Sequence, residues 1–283
     1  MRDPKLIESF KAVIDEAPPE GRQKEQVVQD FLEANTELIP TPNRLNHQLH
    51  FKSVISKFPL GTGLVTDYAY LTKSSDTWRI TLVELESPEK DLYTRGTQKV
   101  HKTAQFTSAI DQVRSWKQYL ETHRALVEES LNPLLKPTNM RKNPIEYQFQ
   151  LVIGRSANKN LTEGRKRDFR ALQQETGIFV MTYDQLVSWY EEDLVFKKNV
   201  LRLTGSAFAF KSMKAGPLNM LSFLGPGELV LSNEEISNLD SLGYDMKAWQ
   251  RGELLSFNGQ WTREDFAKSV FDISLVSGPG SDL

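Results

Sequence analysis

Two extended runs, TDYAYLTK at 66–73 and WRITLVELES at 78–87, flank the turn-forming stretch Ser74-Ser75-Asp76-Thr77. A hairpin whose turn is centred between Ser75 and Asp76 sets Asp67 directly opposite Glu84, with Cβ atoms about 5 Å apart on one face. Glu86 lies two residues beyond Glu84 and points to the same side, whereas Val83 and Leu85 point to the other. A fold that keeps this hairpin has to accommodate three carboxylates on one face of a sheet.

The elements around the hairpin follow from apolar spacing. Leu6, Phe10, Val13, Ile14 and Ala17 form a helical stripe from about Lys5 to Ala17, broken by Pro18-Pro19 and Gly21. A second helix is predicted from Gln23 to Leu38 and a third from Thr103 to Leu120, the latter preceded by a long polar loop, Ser87–Lys102. Extended runs at 45–58, 64–73 and 78–87, with a turn at Gly61-Thr62-Gly63, predict an antiparallel meander. After Pro137 come a strand at Tyr147–Ile153, a helix near Glu163–Glu175 and a strand at Ile178–Met181. A helix then opens with a capping box from Thr182 to Gln185. Helices, a meander and then alternating strands and helices predict an α/β fold, a mixed sheet flanked by helices in an α+β arrangement.

Past Leu194 the spacing loses a clear period. Gly205, Gly216-Pro217 and Gly225-Pro226-Gly227 punctuate it, a second capping box stands at Ser232–Glu235, and Asn258-Gly259 signals a hairpin. The expected organisation is a leading helix at 1–20, a main domain at 21–195, a small appended module at 196–275 and a frayed tail at 276–283.

Composition narrows the chemistry. The 283 residues contain no cysteine, which excludes disulfide scaffolds, Cys-based zinc sites, iron–sulfur clusters and thiol nucleophiles. Four histidines, at 47, 50, 101 and 123, argue against a His-rich metal site, and His47 and His50 fall on opposite faces of an extended run. No apolar run is long enough to cross a bilayer and the N-terminus MRDPKLIESF is not signal-like, so a cytoplasmic protein without a membrane partner is expected. A formal net charge of −2 carries no general nucleic-acid signature, so any basic surface is local. Between 155 and 170, Arg155, Lys159, Arg165, Lys166, Arg167 and Arg170 outnumber Glu163 and Asp168. Such a cluster reads either as a solvated helix face or as a phosphate track.

Crowded carboxylates respond by raised pKa or by binding a cation, and hard oxygen donors on a rigid sheet suit Mg²⁺ or Mn²⁺. That is the chemistry of metal-assisted phosphodiester hydrolysis. The plainer reading leaves Asp67, Glu84 and Glu86 facing solvent on an uncovered sheet. The third helix sets Gln112 and Trp116 at i, i+4, where Gln112 can hold a water or a phosphate and Trp116 belongs to the core.

A helix bearing Glu, then Asp on a strand, then E-x-(K or E) on the next strand, then a helix with Gln resembles the PD-(D/E)xK nuclease superfamily, whose core is αβββαβ. More narrowly, VELESP at 83–88, AIDQVRSW at 109–116, VIGR at 152–155, TYDQL at 182–186 and VVQDFLEANTELI at 27–39 resemble the Shedu family of bacterial anti-phage nucleases, over about residues 22–194. The resemblance implies a metal-dependent DNA endonuclease in phage defence, with Asp67 and Glu84 as metal ligands and Gln112 on the active-site helix. It also implies a helix carboxylate, Glu25 or Glu33, of which Glu25 is favoured. A homo-oligomer and a phage-derived trigger are expected on the same ground, with Lys102, Arg155, Arg165, Lys166 and Arg167 as candidate DNA contacts. Glu86 stands where the superfamily pattern usually has Lys, changing the local charge by two units. Three routes follow: Glu86 is an extra metal ligand, a basic group such as Lys102 or Lys117 reaches in, or cleavage is lost and a silent nucleic-acid-binding or sensing module remains.

Overall fold

A computed structural model describes residues 3–46, 49–96, 99–193 and 195–256. The hairpin signalled by Asn258-Gly259, the tail at 276–283 and His47 lie outside the described residues.

The chain opens with α1 (Pro4–Asp15), whose Asp3 cap accepts from the N–H of Lys5, and α2 (Lys24–Ala34). Next come β1 (Ser53–Ser56), the short ribbon β2 (Pro59–Gly61) and β3 (Leu64–Val65), and the hairpin β4 (Tyr68–Lys73) and β5 (Trp78–Leu85). The long helix α3 (Ala104–Ser130) leads to β6 (Ile145–Val152), α4 (Ser156–Asn160), α5 (Glu163–Thr176), β7 (Ile178–Met181) and α6 (Tyr183–Glu192). Finally come β8 (Asn199–Thr204), β9 (Ala207–Ser212), β10 (Leu229–Val230), α7 (Asn233–Ser241) and α8 (Met246–Gln250). Both capping boxes form, at Thr182 with Gln185 and at Ser232 with Glu235.

One mixed sheet runs in the order β10, β9, β8, β1, β4, β5, β6, β7. The hairpin register pairs Tyr68 with Val83 and continues to Lys73 with Trp78, so Asp67 and Glu84 stand at the next step beyond the last ladder pair. Parallel pairing of β5 with β6 and of β6 with β7 requires crossovers, which α3 and the α4–α5 segment supply.

Alternation along the hairpin splits the core. Ala69, Leu71, Ile80 and Leu82 bury against Phe106, Ile110 and Val113 of α3 and Phe169 and Leu172 of α5. Tyr68, Tyr70, Val83 and Leu85 bury on the opposite face with Phe10 and Ile14 of α1, Val28 and Leu32 of α2 and Leu186 of α6. By the same alternation, Asp67 and Glu84 belong to the face covered by α3.

Three elements differ from the sequence expectation. The run at 45–58 is extended in β1 alone, because Phe51 and Lys52 take φ of 52° and 47° and break the strand on its N-terminal side. α3 runs on to Ser130, its buried stripe continuing through Val127. The segment after Leu194, expected to form an appended module whose Gly/Pro-punctuated part shows no clear strand period, joins the main sheet: β8 pairs in parallel with β1, Val54 against Val200, and β9 pairs with β8. Met220, Leu239, Met246 and Trp249 then pack into the same core as α3. Among the described residues no helix is long and apolar enough to cross a membrane.

Candidate active site

Asp67 sits where the chain leaves the β2–β3 ribbon and enters β4, and its main-chain N–H donates to the carbonyl of Val83 at 3.0 Å. Its side chain is held on both oxygens: Oδ2 accepts from the Leu85 N–H at 2.6 Å and Oδ1 pairs with Lys57 Nζ. Lys57 has φ of 50°, a left-handed conformation that costs a non-glycine residue energy. The surrounding bonds fix it there, since its N–H donates to the Asp67 carbonyl at 2.9 Å.

Glu84 is buried and accepts from Gln112 Nε2 at 2.5 Å, so the α3 amide aims at the carboxylate face of the hairpin. Burial raises the pKa of Glu84, and the negative charges of Asp67 and Glu86 raise it further. Glu86 is also buried and pairs with Lys90 Nζ. Its pKa is raised, because burial and the nearby Glu25 carboxylate outweigh the stabilising ammonium. Glu25, on the first turn of α2, accepts from the Ser87 N–H at 3.1 Å and lies 2.9 Å from Lys90 Nζ. Glu33 points elsewhere, accepting from Ser56 Oγ at 2.9 Å and pairing with Lys211 at 2.6 Å. Of the two helix carboxylates, Glu25 is therefore the one beside Glu86.

Asp67, Glu84, Glu86, Gln112 and Glu25 thus gather at the C-terminal end of β5. Among the described residues, no group of three or more His, Asp or Glu side chains converges to hold a metal ion. Asp67 and Glu86 each turn toward a lysine and Glu84 toward an amide. The donor chemistry still suits a divalent cation, since the buried Glu84 carries the electrostatic cost of its neighbours' charge, which a bound cation relieves.

The basic residues expected near this site behave differently. Arg165 does not face solvent: it is 1% exposed and donates to the carbonyls of Asn158, Thr94 and Gly96 at 2.7, 2.6 and 3.2 Å, which corrects its assignment as a DNA contact. Lys102 pairs with Asp168 at 2.8 Å, and Lys117 Nζ donates to the Thr176 carbonyl at 3.4 Å, so neither side chain is directed at Glu86. Arg155 bridges Asp15 and Asp184, and Lys166 pairs with Glu163 at 2.7 Å. Arg167 and Arg170 are exposed on α5. Tyr93, Thr94 and His101 of the long loop are each held by hydrogen bonds. Tyr93 exchanges main-chain bonds with the Asn158 amide, its hydroxyl donates to Asp168 at 2.9 Å, and the main chain of Thr94 bonds that of His101 at 2.9 Å.

Lys57 and Lys90 are the site residues that sequence spacing missed. Lys90 had a signal, the Ser-Pro-Glu-Lys turn after Glu86, whereas Lys57 is brought to Asp67 by tertiary pairing alone.

No curated protein matches this chain. Residues 22–187, more than half of its length and the span from α2 into α6, match the family described as Shedu protein SduA, C-terminal, and the chain belongs to the Shedu family.

Proposed function

We propose that the protein is a metal-dependent DNA endonuclease of the PD-(D/E)xK type that acts in anti-phage defence. The observation that carries this reading is the pairing of Asp67 and Glu84 across the hairpin beneath Gln112, with Glu84 raised in pKa by burial and by the charge of Asp67. Family membership supports the defence role.

Asp67 and Glu84 would hold a Mg²⁺ or Mn²⁺ ion, while Glu86 is engaged by Lys90. When bound, such an ion polarises the scissile phosphate and lowers the pKa of the attacking water. The Leu85 N–H fixes the Asp67 carboxylate, Gln112 fixes that of Glu84, and Glu25 ties α2 to the end of β5 through Ser87. Arg167 and Arg170, exposed on α5, offer charge to a DNA backbone.

A second reading, a silent nucleic-acid-binding module, is favoured by one observation: no three acidic side chains converge among the described residues. Cleavage of linear, nicked and supercoiled DNA with Mg²⁺, Mn²⁺ or EDTA separates the two. Metal-dependent cutting that disappears in Asp67→Ala and Glu84→Ala supports the nuclease. DNA binding without cutting under every condition supports the silent module.

A further inference from the structure

We propose that Lys90 is the catalytic lysine of this site, supplying from a turn the positive charge that Glu86 denies to its own strand position. The inference rests on the nuclease reading and names the group that reading lacks.

The argument starts at the chain's exit from β5. The carbonyl of Ser87 accepts from the Lys90 N–H at 3.2 Å, closing a turn with Pro88 at its second position, where the fixed φ of proline is favourable. Ser87 Oγ also accepts from the Glu89 N–H at 3.2 Å. The turn reverses the chain, so the Lys90 side chain folds back over Glu86, four residues earlier, and its ammonium lies between Glu86 and Glu25.

The neighbouring chain is shaped to admit this turn. Gly154, with φ of 61°, follows β6, and a Cβ there would lie 2.3 Å from the Lys90 carbonyl oxygen and 2.5 Å from Leu92 Cδ1. The Gly154 N–H donates to the Ser87 carbonyl at 3.2 Å, and the Tyr183 hydroxyl donates to the Glu86 carbonyl at 2.8 Å. The segment bearing Lys90 is therefore pinned to the end of β6 and to α6. Its side chain remains 24% exposed rather than sealed in the core. Lys57, at 54% exposure, pairs with Asp67 and not with Glu86.

In hydrolysis, the oxygen of a water forms a bond to phosphorus while the bond to the leaving oxygen breaks, its electron pair going to that oxygen. The water's proton passes to solvent and the leaving oxygen takes one from solvent. The Lys90 ammonium keeps its proton and donates hydrogen bonds to the charge that builds on the phosphoryl oxygens.

The test is DNA cleavage in Mn²⁺ by wild type, Lys90→Met and the double variant Lys90→Met/Glu86→Lys, with Mn²⁺ binding followed by calorimetry and folding by thermal melts. The expected result is a loss of about 100-fold or more in Lys90→Met with Mn²⁺ binding retained, and recovery of at least tenfold when the lysine returns to position 86. A structural role for Lys90 is not rescued by a lysine elsewhere. Lys90→Met cutting within about threefold of wild type overturns the proposal while the nuclease reading stands, as does a folded, Mn²⁺-binding double variant that stays dead. A wild type that binds DNA and never cuts removes the nuclease reading, and this proposal with it.

Discussion

Asp67 Oδ2 accepts the main-chain N–H of Leu85 at 2.6 Å, so a side chain at the mouth of one strand is locked to the backbone of its neighbour, one residue past Glu84. The contact fixes two buried carboxylates side by side, and the cost falls on Glu84, whose pKa is raised. Burial beside Asp67 therefore costs stability at Glu84.

Glu84→Gln keeps the shape and a hydrogen-bond partner for Gln112 while removing the charge. The folded-state pKa of Glu84 is raised, so its contribution to stability is fully present below the unfolded value and is lost as pH rises through the folded one. The variant is expected to be more stable than wild type by about 1–2 kcal/mol at pH 8, with the difference shrinking toward pH 5, and to lose cleavage. Urea melts of both proteins at the two pH values read it. A variant less stable than wild type at pH 8 contradicts the electrostatic account.

His50 gives the opposite slope. It is buried against Trp78, its Nε2 lies 3.0 Å from the Leu134 carbonyl, and burial lowers its pKa to about 3, with the charge of Lys73 adding to the shift. Its neutral form is favoured by folding, so the stability it contributes is present above pH 6.5 and is lost as pH falls toward 3. The expected cost is about 1.4 kcal/mol per pH unit inside that window. Comparing urea midpoints of wild type and His50→Gln from pH 7 to pH 4 isolates the effect; parallel curves would remove it.

Gly154→Ala should be costlier than Gly63→Ala. Gly63 has φ of 80° with nothing within 4 Å of an added Cβ, so its substitution costs about 1 kcal/mol from backbone conformation alone. At Gly154 the same strain adds to a collision with the Lys90 carbonyl, and an extra loss of about 1–3 kcal/mol is expected, together with reduced cleavage. Equal melting temperatures for the two variants would show that the turn at Lys90 moves freely.

Arg165→Met leaves three main-chain carbonyls without their donor and is expected to destabilise the fold by about 3 kcal/mol. While it remains folded, its DNA affinity should show the wild-type salt dependence. Arg167→Ala and Arg170→Ala should each flatten that dependence by about one unit of slope with little effect on melting. A flatter slope in Arg165→Met would restore Arg165 to the DNA surface.

Local chemistry determined much of this protein. The alternation of TDYAYLTK and WRITLVELES around Ser74–Thr77 sets the register that brings Asp67 beside Glu84, and the spacing of Phe106, Ile110 and Val113 sets which face of α3 meets the sheet. Side chains cap the helices at Thr182 and Ser232 through bonds three residues long, which is why those starts are legible in the sequence. Contacts between distant segments left no such period. Tertiary structure alone decided that β8 lies beside β1, that Lys57 meets Asp67, and that Arg165 serves three carbonyls from inside the fold. A charged side chain in a sequence reads the same whether its partner is solvent, a phosphate or a buried main-chain oxygen. Only packing fixes which of these it meets, because desolvating a guanidinium or an ammonium is tolerated only where the surrounding acceptors are already in place.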